Sequence, residues 1–354
     1  MADRIYLDHA ATTPILPEAR QAVAEAMACW ANPSSPHAEG RAARAMLEDA
    51  RRRLANVLGW HGKVVFTSGA SEAIEIVMQR AAAGERFAST TEHPAVLRCT
   101  AAGNMMPVRT DGTLEIDDLN RLLTASERPL IAVQQVNSET GVIQPTGRIA
   151  EQVRAAGGLL LCDCAQGAGK LPLPEADFVV VAAHKLGGPP GVGALLVRDG
   201  SSLAAVGGQE GGYRPGTPAL PLIMGFAAAA EANRSWFTHA ADLRVRLEQS
   251  ISESGGETIA AAAPRVPTIG AYRLPGVSAA AQLMHLDLAG IAVSAGSACS
   301  SGSVKTSHVL LAMGMEERAA SEVIRVSFGW STTAADVDAF LDQYRLLAGR
   351  RRAA

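Results

Sequence analysis

Phe178-Val179-Val180-Val181-Ala182-Ala183-His184-Lys185-Leu186-Gly187-Gly188-Pro189-Pro190-Gly191 is the stretch from which the fold is read. Its apolar, β-branched half predicts a buried strand. The run stops at His184-Lys185 and then breaks on Gly and Pro. An ammonium at the end of a buried strand is costly without a partner or a task. Such a lysine either snorkels to the surface or has its pKa lowered until the free amine reacts with a carbonyl as a Schiff base. The stretch alone leaves both open.

On either side of it, short apolar runs alternate with helical patterns. Val64 to Thr67, Arg86 to Thr90, Leu130 to Val136, Leu159 to Cys162, Phe178 to Ala183 and Gly193 to Arg198 read as strands. Ser71 to Ala83, Pro94 to Ala102, Asp117 to Thr124 and Gly147 to Ala156 read as helices between them. This alternation predicts an α/β domain with a mainly parallel sheet, in which ligands bind beyond the carboxyl ends of the strands. Two helices, Pro17 to Trp30 and Gly40 to Leu58, precede it. After Thr217 comes an Ala-rich helical region broken near Trp236, and then the pattern becomes that of a smaller α+β unit. Its strands are Thr268 to Arg273, Ile291 to Ser294 and Val323 to Phe328. Its helices are Ala279 to Leu288, Ser307 to Met313 and Thr333 to Leu347. A boundary near Asp242 gives a large domain of residues 15–241 and a small domain of residues 1–14 and 242–354.

A chain of 354 residues suits two such domains. Hydrophobic content of 48% and charged content of 19% describe a globular protein with ample core. A net charge of -3 leaves no electrostatic footprint for nucleic acid. The runs Arg51-Arg52-Arg53 and Arg350-Arg351-Arg352 read as a partly paired helix face and a solvated tail. Five cysteines, an odd number over a long chain, argue against a disulfide framework. Neither an apolar leader nor a run of membrane-spanning length occurs, so no membrane partner is expected and the expected compartment is a reducing cytoplasm.

Several segments carry chemistry-bearing side chains. Thr67-Ser68-Gly69-Ala70-Ser71-Glu72 joins a strand to a helix, where backbone N–H groups and a hydroxyl can approach a phosphate. The plainer alternative is a Ser N-cap. Thr91-Glu92-His93-Pro94 puts an imidazole at a strand end, able to stack on a ring and move protons, or simply structural. Asp163, at the end of Leu159-Leu160-Leu161-Cys162, is a carboxylate suited to a protonated pyridine nitrogen or to capping the next turn. Cys162 and Cys164 flank it without a second ligand pair, so they read as core residues rather than metal ligands. Gly207-Gly208-Gln209-Glu210-Gly211-Gly212-Tyr213-Arg214-Pro215-Gly216-Thr217 can wrap a phosphate or a subunit edge, or is a plain surface loop. Cys299 lies in a run of Ser, Gly and Ala from Val293 to Ser303, a setting for a reactive thiol or for a harmless loop cysteine rather than a core one. Arg325, inside Ile324 to Gly329, is either an exposed strand arginine or a carboxylate clamp.

In this order and at compatible spacings, these segments resemble the cysteine desulfurases of the NifS/IscS-like group, class V aminotransferase-like enzymes of fold type I. The resemblance also takes in Tyr6-Leu7-Asp8, Ala10 to Pro14, Asn32-Pro33-Ser34-Ser35 and Glu139-Thr140-Gly141-Val142-Ile143-Gln144-Pro145. It implies a seven-stranded type of large-domain sheet, pyridoxal 5'-phosphate as cofactor and L-cysteine as substrate. Lys185 is then the Schiff-base lysine, Asp163 the partner of the pyridinium nitrogen, and His93 the stacking ring that assists proton transfer. Gln166 bonds the phenolic oxygen. Ala70, Ser71 and His184 hold the phosphate, and Thr217 reaches the phosphate of a neighbouring subunit in a homodimer. Asn137 and Ser138 lie beside ring and substrate, and Arg325 takes the substrate carboxylate. Cys299 receives the sulfur as a persulfide, alanine leaves, and a sulfur-acceptor protein follows, an iron–sulfur scaffold or a tRNA-thiolation protein.

The chain departs from the family pattern at Ser138, Ala182, Gly211 and Pro215, where Asn, Ser, Arg and Ser are usual. These changes remove hydrogen bonds of about 0.5–1.5 kcal/mol each. They motivate two alternatives: another class V lyase or aminotransferase, and a cofactor-poor scaffold for sulfur relay.

Overall fold

The computed structural model describes residues 4–296 and 306–353. The chain opens on β1 (Ile5–Tyr6), followed by α1 (Pro17–Ala26) and α2 (Ala38–Leu58). Next come β2 (Lys63–Thr67), α3 (Ala70–Arg80), β3 (Arg86–Ser89), α4 (Pro94–Leu97) and β4 (Met105–Met106). The alternation continues with α5 (Ile116–Ala125), β5 (Leu130–Gln134), α6 (Thr146–Ala155), β6 (Leu159–Asp163), β7 (Phe178–Ala182) and β8 (Gly193–Val197). Two long helices follow, α7 (Leu220–Glu231) and α8 (Trp236–Glu253). The remainder is β9 (Glu257–Thr258), β10 (Ile269–Arg273), α9 (Ala279–Leu288), β11 (Ile291–Ala292), α10 (His308–Ala312), α11 (Glu317–Ala320), β12 (Val323–Ser327) and α12 (Ala334–Ala353).

A seven-stranded sheet has the order β2-β8-β7-β6-β5-β3-β4. Every pair among β4, β3, β5, β6 and β7 is parallel, and β8 runs antiparallel to both β7 and β2. The reversal has a simple cause: residues 183–192 are too few for a parallel crossover, which takes about a dozen or more. The carboxyl ends of β2, β3, β5, β6 and β7 therefore share one edge of the sheet.

The continuous apolar runs are explained by cover on both faces. Val179 and Val181 of β7 join a core with Leu54, Phe66, Leu160 and Phe226. Phe178 and Val180 point the other way, into a core with Ile74, Val77 and Leu161. Cys162 and Cys164 are fully buried in the first of these, with Sγ atoms 3.7 Å apart. A second, three-stranded sheet, β12-β10-β9, is antiparallel and packs with α8 and α12 around Tyr272, Ile324, Phe340 and Tyr344. Ala240, Leu243 and Leu247 of α8 already belong to this core, so Asp242 falls within the helix.

Residues 5–16 are bonded to both parts. Leu7 N donates to Ala292 O and Ser327 N to Leu7 O, at 2.9 and 2.8 Å. Thr13 N and Leu16 N donate to the carbonyls of His184 and Gly187, at 2.9 and 2.8 Å. The helix expected over Pro94 to Ala102 is shorter, because Thr100 Oγ1 bonds back to the Val96 carbonyl and closes the turn. Among the described residues, no helix is long and apolar enough to cross a membrane.

Candidate active site

The strand ends and the second sheet enclose a cavity of about 590 Å³. Lys185 stands in the short turn Ala183–Lys185 that follows β7, and its Nζ donates to the carbonyls of Ala10 and Ala11 at 2.6 and 2.7 Å. Asp163 ends β6, with Oδ1 accepting from Ala165 N at 2.9 Å. Burial raises its pKa, while the Ala165 N–H and the charges of His93 and Lys185 favour its ionised form. His93 caps α4, its Nδ1 accepting from Ala95 N at 3.1 Å, and burial lowers its pKa. His184 is pushed down to about 4 by burial and then by Lys185. Gln166 Nε2 donates to Ala10 O at 2.8 Å, and its buried Oε1 has no partner among the described residues.

Ala70 and Ser71 line the cavity in the first turn of α3. That end is tightly packed from below: a Cβ on Gly193 of β8 would lie 2.9 Å from Gly69 Cα. Glu72 accepts from Ser68 N and from Arg214 Nε, at 2.5 and 2.8 Å. Ala182 also lines the cavity and offers it only a methyl group.

Ser138 lines the cavity, and its carbonyl accepts from Arg325 Nη1 at 3.0 Å. Asn137 is not in the lining. Its Oδ1 accepts from Glu139 N and Thr140 N, both at 2.9 Å, and its Nδ2 donates to Thr91 O at 3.2 Å. This side chain shapes the turn that presents Ser138, so it is not placed for the substrate contact expected of it. Arg325 reaches the cavity from β12, with Nη2 donating to Asp8 Oδ1 at 2.7 Å. Its buried Nε has no partner among the described residues. Thr217 is exposed and outside the lining of its own chain's cavity. Cys299 lies outside the described residues.

Four residues in or beside the site were quoted within motifs or passed over without a role. Glu92 is fully buried, with Oε1 accepting from Gln134 N at 2.9 Å and Oε2 unpartnered among the described residues. Burial raises its pKa well above the carboxylate range, and Asp163 adds to the rise. Glu139 accepts a hydrogen bond from Ser307 Oγ, tying β5's following turn to the start of α10. His308 lines the cavity, with Nε2 at 3.0 Å from the Glu92 carbonyl oxygen. Asp8 holds Arg325. A signal existed for Glu92, Asp8 and Glu139, which stand within quoted motifs; distance in sequence hid His308.

The cavity fits the flat, phosphate-bearing cofactor expected from the resemblance. The α3 N-terminus points backbone N–H groups at one end. A carboxylate sits at another wall, an imidazole and a lysine ammonium lie between, and Gln166 leaves an open polar atom.

Comparison with known proteins agrees with this geometry. The sequence pattern of the aminotransferase class-V family matches residues 5–340. A cysteine desulfurase of Cereibacter sphaeroides is 36% identical over 96% of this chain and 94% of that protein. An IscS-like cysteine desulfurase of Mycobacterium tuberculosis is 34% identical over 95% and 94%. The X-ray structure of a NifS-like protein from Rickettsia africae superposes with a TM-score of 0.90, at 29% identity, over 98% of this chain and 99% of that one. With the site's geometry and these relatives over nearly its whole length, the chain belongs to the aminotransferase class-V family, among its cysteine desulfurases.

Proposed function

We propose that this cavity removes sulfur from L-cysteine with pyridoxal 5'-phosphate, leaving a persulfide on Cys299 and releasing L-alanine. The observation that carries the reading is the convergence of Lys185, Asp163 and His93 from three strand ends on a cavity that Arg325 enters from the second sheet. One neighbour of this fold, SspA, at 27% identity and a TM-score of 0.79, was solved in complex with cysteine.

The bound cofactor supplies an aldehyde and an electron-withdrawing pyridinium ring that loosens the bonds around the substrate Cα. The chain's residues provide the rest. Asp163 keeps a proton on the ring nitrogen through its carboxylate. Lys185, whose amine is held by the carbonyls of Ala10 and Ala11, would hold the cofactor through that amine and would move protons at the substrate carbon. His93 would hold the ring and would donate from Nε2, since Nδ1 is engaged by Ala95. Arg325 orients the substrate carboxylate with the second hydrogens of its two Nη groups, already steadied by Asp8 and Ser138. Cys299 attacks the substrate sulfur as a thiolate. The persulfide then passes to an acceptor protein of iron–sulfur assembly or tRNA thiolation. Thr217 completes the phosphate site of the second chain in a homodimer.

The test is stoichiometric detection of alanine and of a persulfide on the Cys299 peptide after adding L-cysteine. Cys299→Ala is expected to keep the visible band of the bound cofactor and to lose sulfide release by at least about 10²-fold. Release at the full rate by that variant would sink the persulfide route.

A further inference from the structure

Thr12 and Thr13 are neighbours in one turn, and the fold uses their hydroxyls differently. Thr13 is buried, and its Oγ1 is shared between the carbonyls of His9 and Lys185, at 3.2 and 3.4 Å. Thr12 is exposed and lines the cavity. Its Oγ1 donates to the Ala11 carbonyl at 2.8 Å, the same oxygen that accepts from Lys185 Nζ at 2.7 Å. A hydroxyl has one proton, and here that proton is committed. Toward the cavity Thr12 Oγ1 offers only lone pairs, so it accepts from an N–H and turns a carboxylate away.

The turn that carries this oxygen is fixed along its length. The Tyr6 hydroxyl is shared between the carbonyls of Asp8 and Thr12, at 3.1 and 2.8 Å. Ala11 N and Thr12 N both donate to Asp8 O, at 3.0 and 3.4 Å. Ala10 N donates at 2.9 Å to the hydroxyl of Ser327, on the same strand as Arg325. At the start of the turn, Asp8 Oδ1 accepts from Arg325 Nη2 at 2.7 Å. The turn therefore runs from a guanidinium at Asp8 to the Lys185 amine at Ala11. An α-amino acid whose carboxylate meets Arg325, and whose amine comes up to Lys185, lies along it. Two groups bonded to one carbonyl oxygen are near neighbours, so that amine passes the Thr12 hydroxyl.

We propose that Thr12 is a further substrate-binding residue, whose Oγ1 accepts a hydrogen bond from the amino group of the entering amino acid. This rests on the desulfurase reading, in which L-cysteine is that amino acid. Recognition is then divided along the turn. Arg325 offers only donors and takes the carboxylate, whereas Thr12 offers only an acceptor and takes the amine. A substrate placed the other way round sets its ammonium against a guanidinium and its carboxylate against lone pairs. The pair therefore fixes direction as well as affinity.

The experiment compares cofactor-loaded wild type with Thr12→Ser, which keeps the hydroxyl, and Thr12→Val, which keeps the shape without it. Two ligands are used: L-cysteine, and β-mercaptopropionate, which has the thiol and the carboxylate but no amino group. In stopped flow below saturation, the visible cofactor band of Thr12→Val is expected to respond to L-cysteine about tenfold more slowly than that of wild type. Thr12→Ser is expected to stay within about threefold of wild type. Competitive inhibition by β-mercaptopropionate is expected to stay within about twofold in all three proteins, which a displaced turn would not allow. Should Thr12→Val fail to hold the cofactor, Thr12→Ala carries the same comparison. A hydroxyl-free variant that reacts with L-cysteine as fast as wild type overturns the proposal. So does one that loses β-mercaptopropionate as strongly as L-cysteine, because the hydroxyl then only shapes the turn. Wild-type protein whose band does not respond to L-cysteine, and which makes no alanine from it, overturns the desulfurase reading itself.

Discussion

Glu92 is a carboxyl group with no room for its charge. It is fully buried, one oxygen is bonded to Gln134 N and the other to nothing among the described residues. Its pKa is raised, first by burial and then by Asp163, so the fold keeps a proton that the unfolded chain gives up. The unfolded state then binds fewer protons, and this residue's contribution to stability falls as pH rises from the ordinary carboxylate range toward the raised value. Glu92→Gln removes that loss. The variant's melting temperature is expected to gain on wild type as pH goes from about 4 to about 7. A constant difference between the two melting curves over that range would show that Glu92 is ionised in the fold. The sequence set Glu92 inside Thr91-Glu92-His93, but the chemistry was legible only at His93. A carboxyl's burial depends on what the neighbouring strand does, here β5, and no local spacing reveals it.

At the scale of elements, the glycine-rich loop shows how a weak sequence signal becomes a defined object. Gly211 and Gly212 have φ of +67° and +89°, which glycine adopts at no steric cost. Between such turns Glu210, itself at φ +53°, turns its carboxylate inward. It accepts from Arg51 Nη1 and Nη2 at 2.7 and 3.0 Å and from Phe66 N at 2.7 Å. The Glu210 side chain is 1% exposed and that of Arg51 19%. Removing one partner of a buried pair strands the other, so Glu210→Ala is expected to cost about 3 kcal/mol in urea unfolding. A cost below about 0.5 kcal/mol would mean that Glu48, also bonded to Arg51, suffices alone. The strands and helices between residues 64 and 197 were legible because both faces of the sheet are covered, which leaves long apolar runs. The two-residue strands β1, β4, β9 and β11 were not read at such short lengths, since pairing partners rather than local pattern define them. The anchoring of the Gly-rich loop was equally hidden, because Arg51 lies 159 positions from Glu210.

At the scale of the whole molecule, Thr217 is exposed and does not line its own chain's cavity, which fits a residue that serves a second copy. Particles of twice the 36.8 kDa chain mass are expected in light scattering. Mixed dimers give a sharper test. A dimer of one Lys185→Ala chain and one Thr217→Ala chain contains one intact site if Thr217 acts across the interface, and none if it acts within its own chain. Titration with cofactor is expected to show a tight class of sites, about tenfold tighter than in Thr217→Ala homodimers. Absence of that class would return Thr217 to its own subunit.

The stitching of residues 5–16 also bears on when the enzyme comes into being during synthesis. Those residues are made before the central sheet, and β12 is made after it. Yet Ser327 bonds to Leu7, and Asp8 pairs with Arg325 across 317 positions. The segment that supplies the carbonyls of Ala10 and Ala11 to Lys185 is therefore held at one end by residues that do not yet exist while the central sheet is being made. Contacts of such long range close late in folding. A nascent chain stalled before Val323 would carry a folded sheet and a lysine without its finished cradle, and would begin to load cofactor properly only when β12 was released.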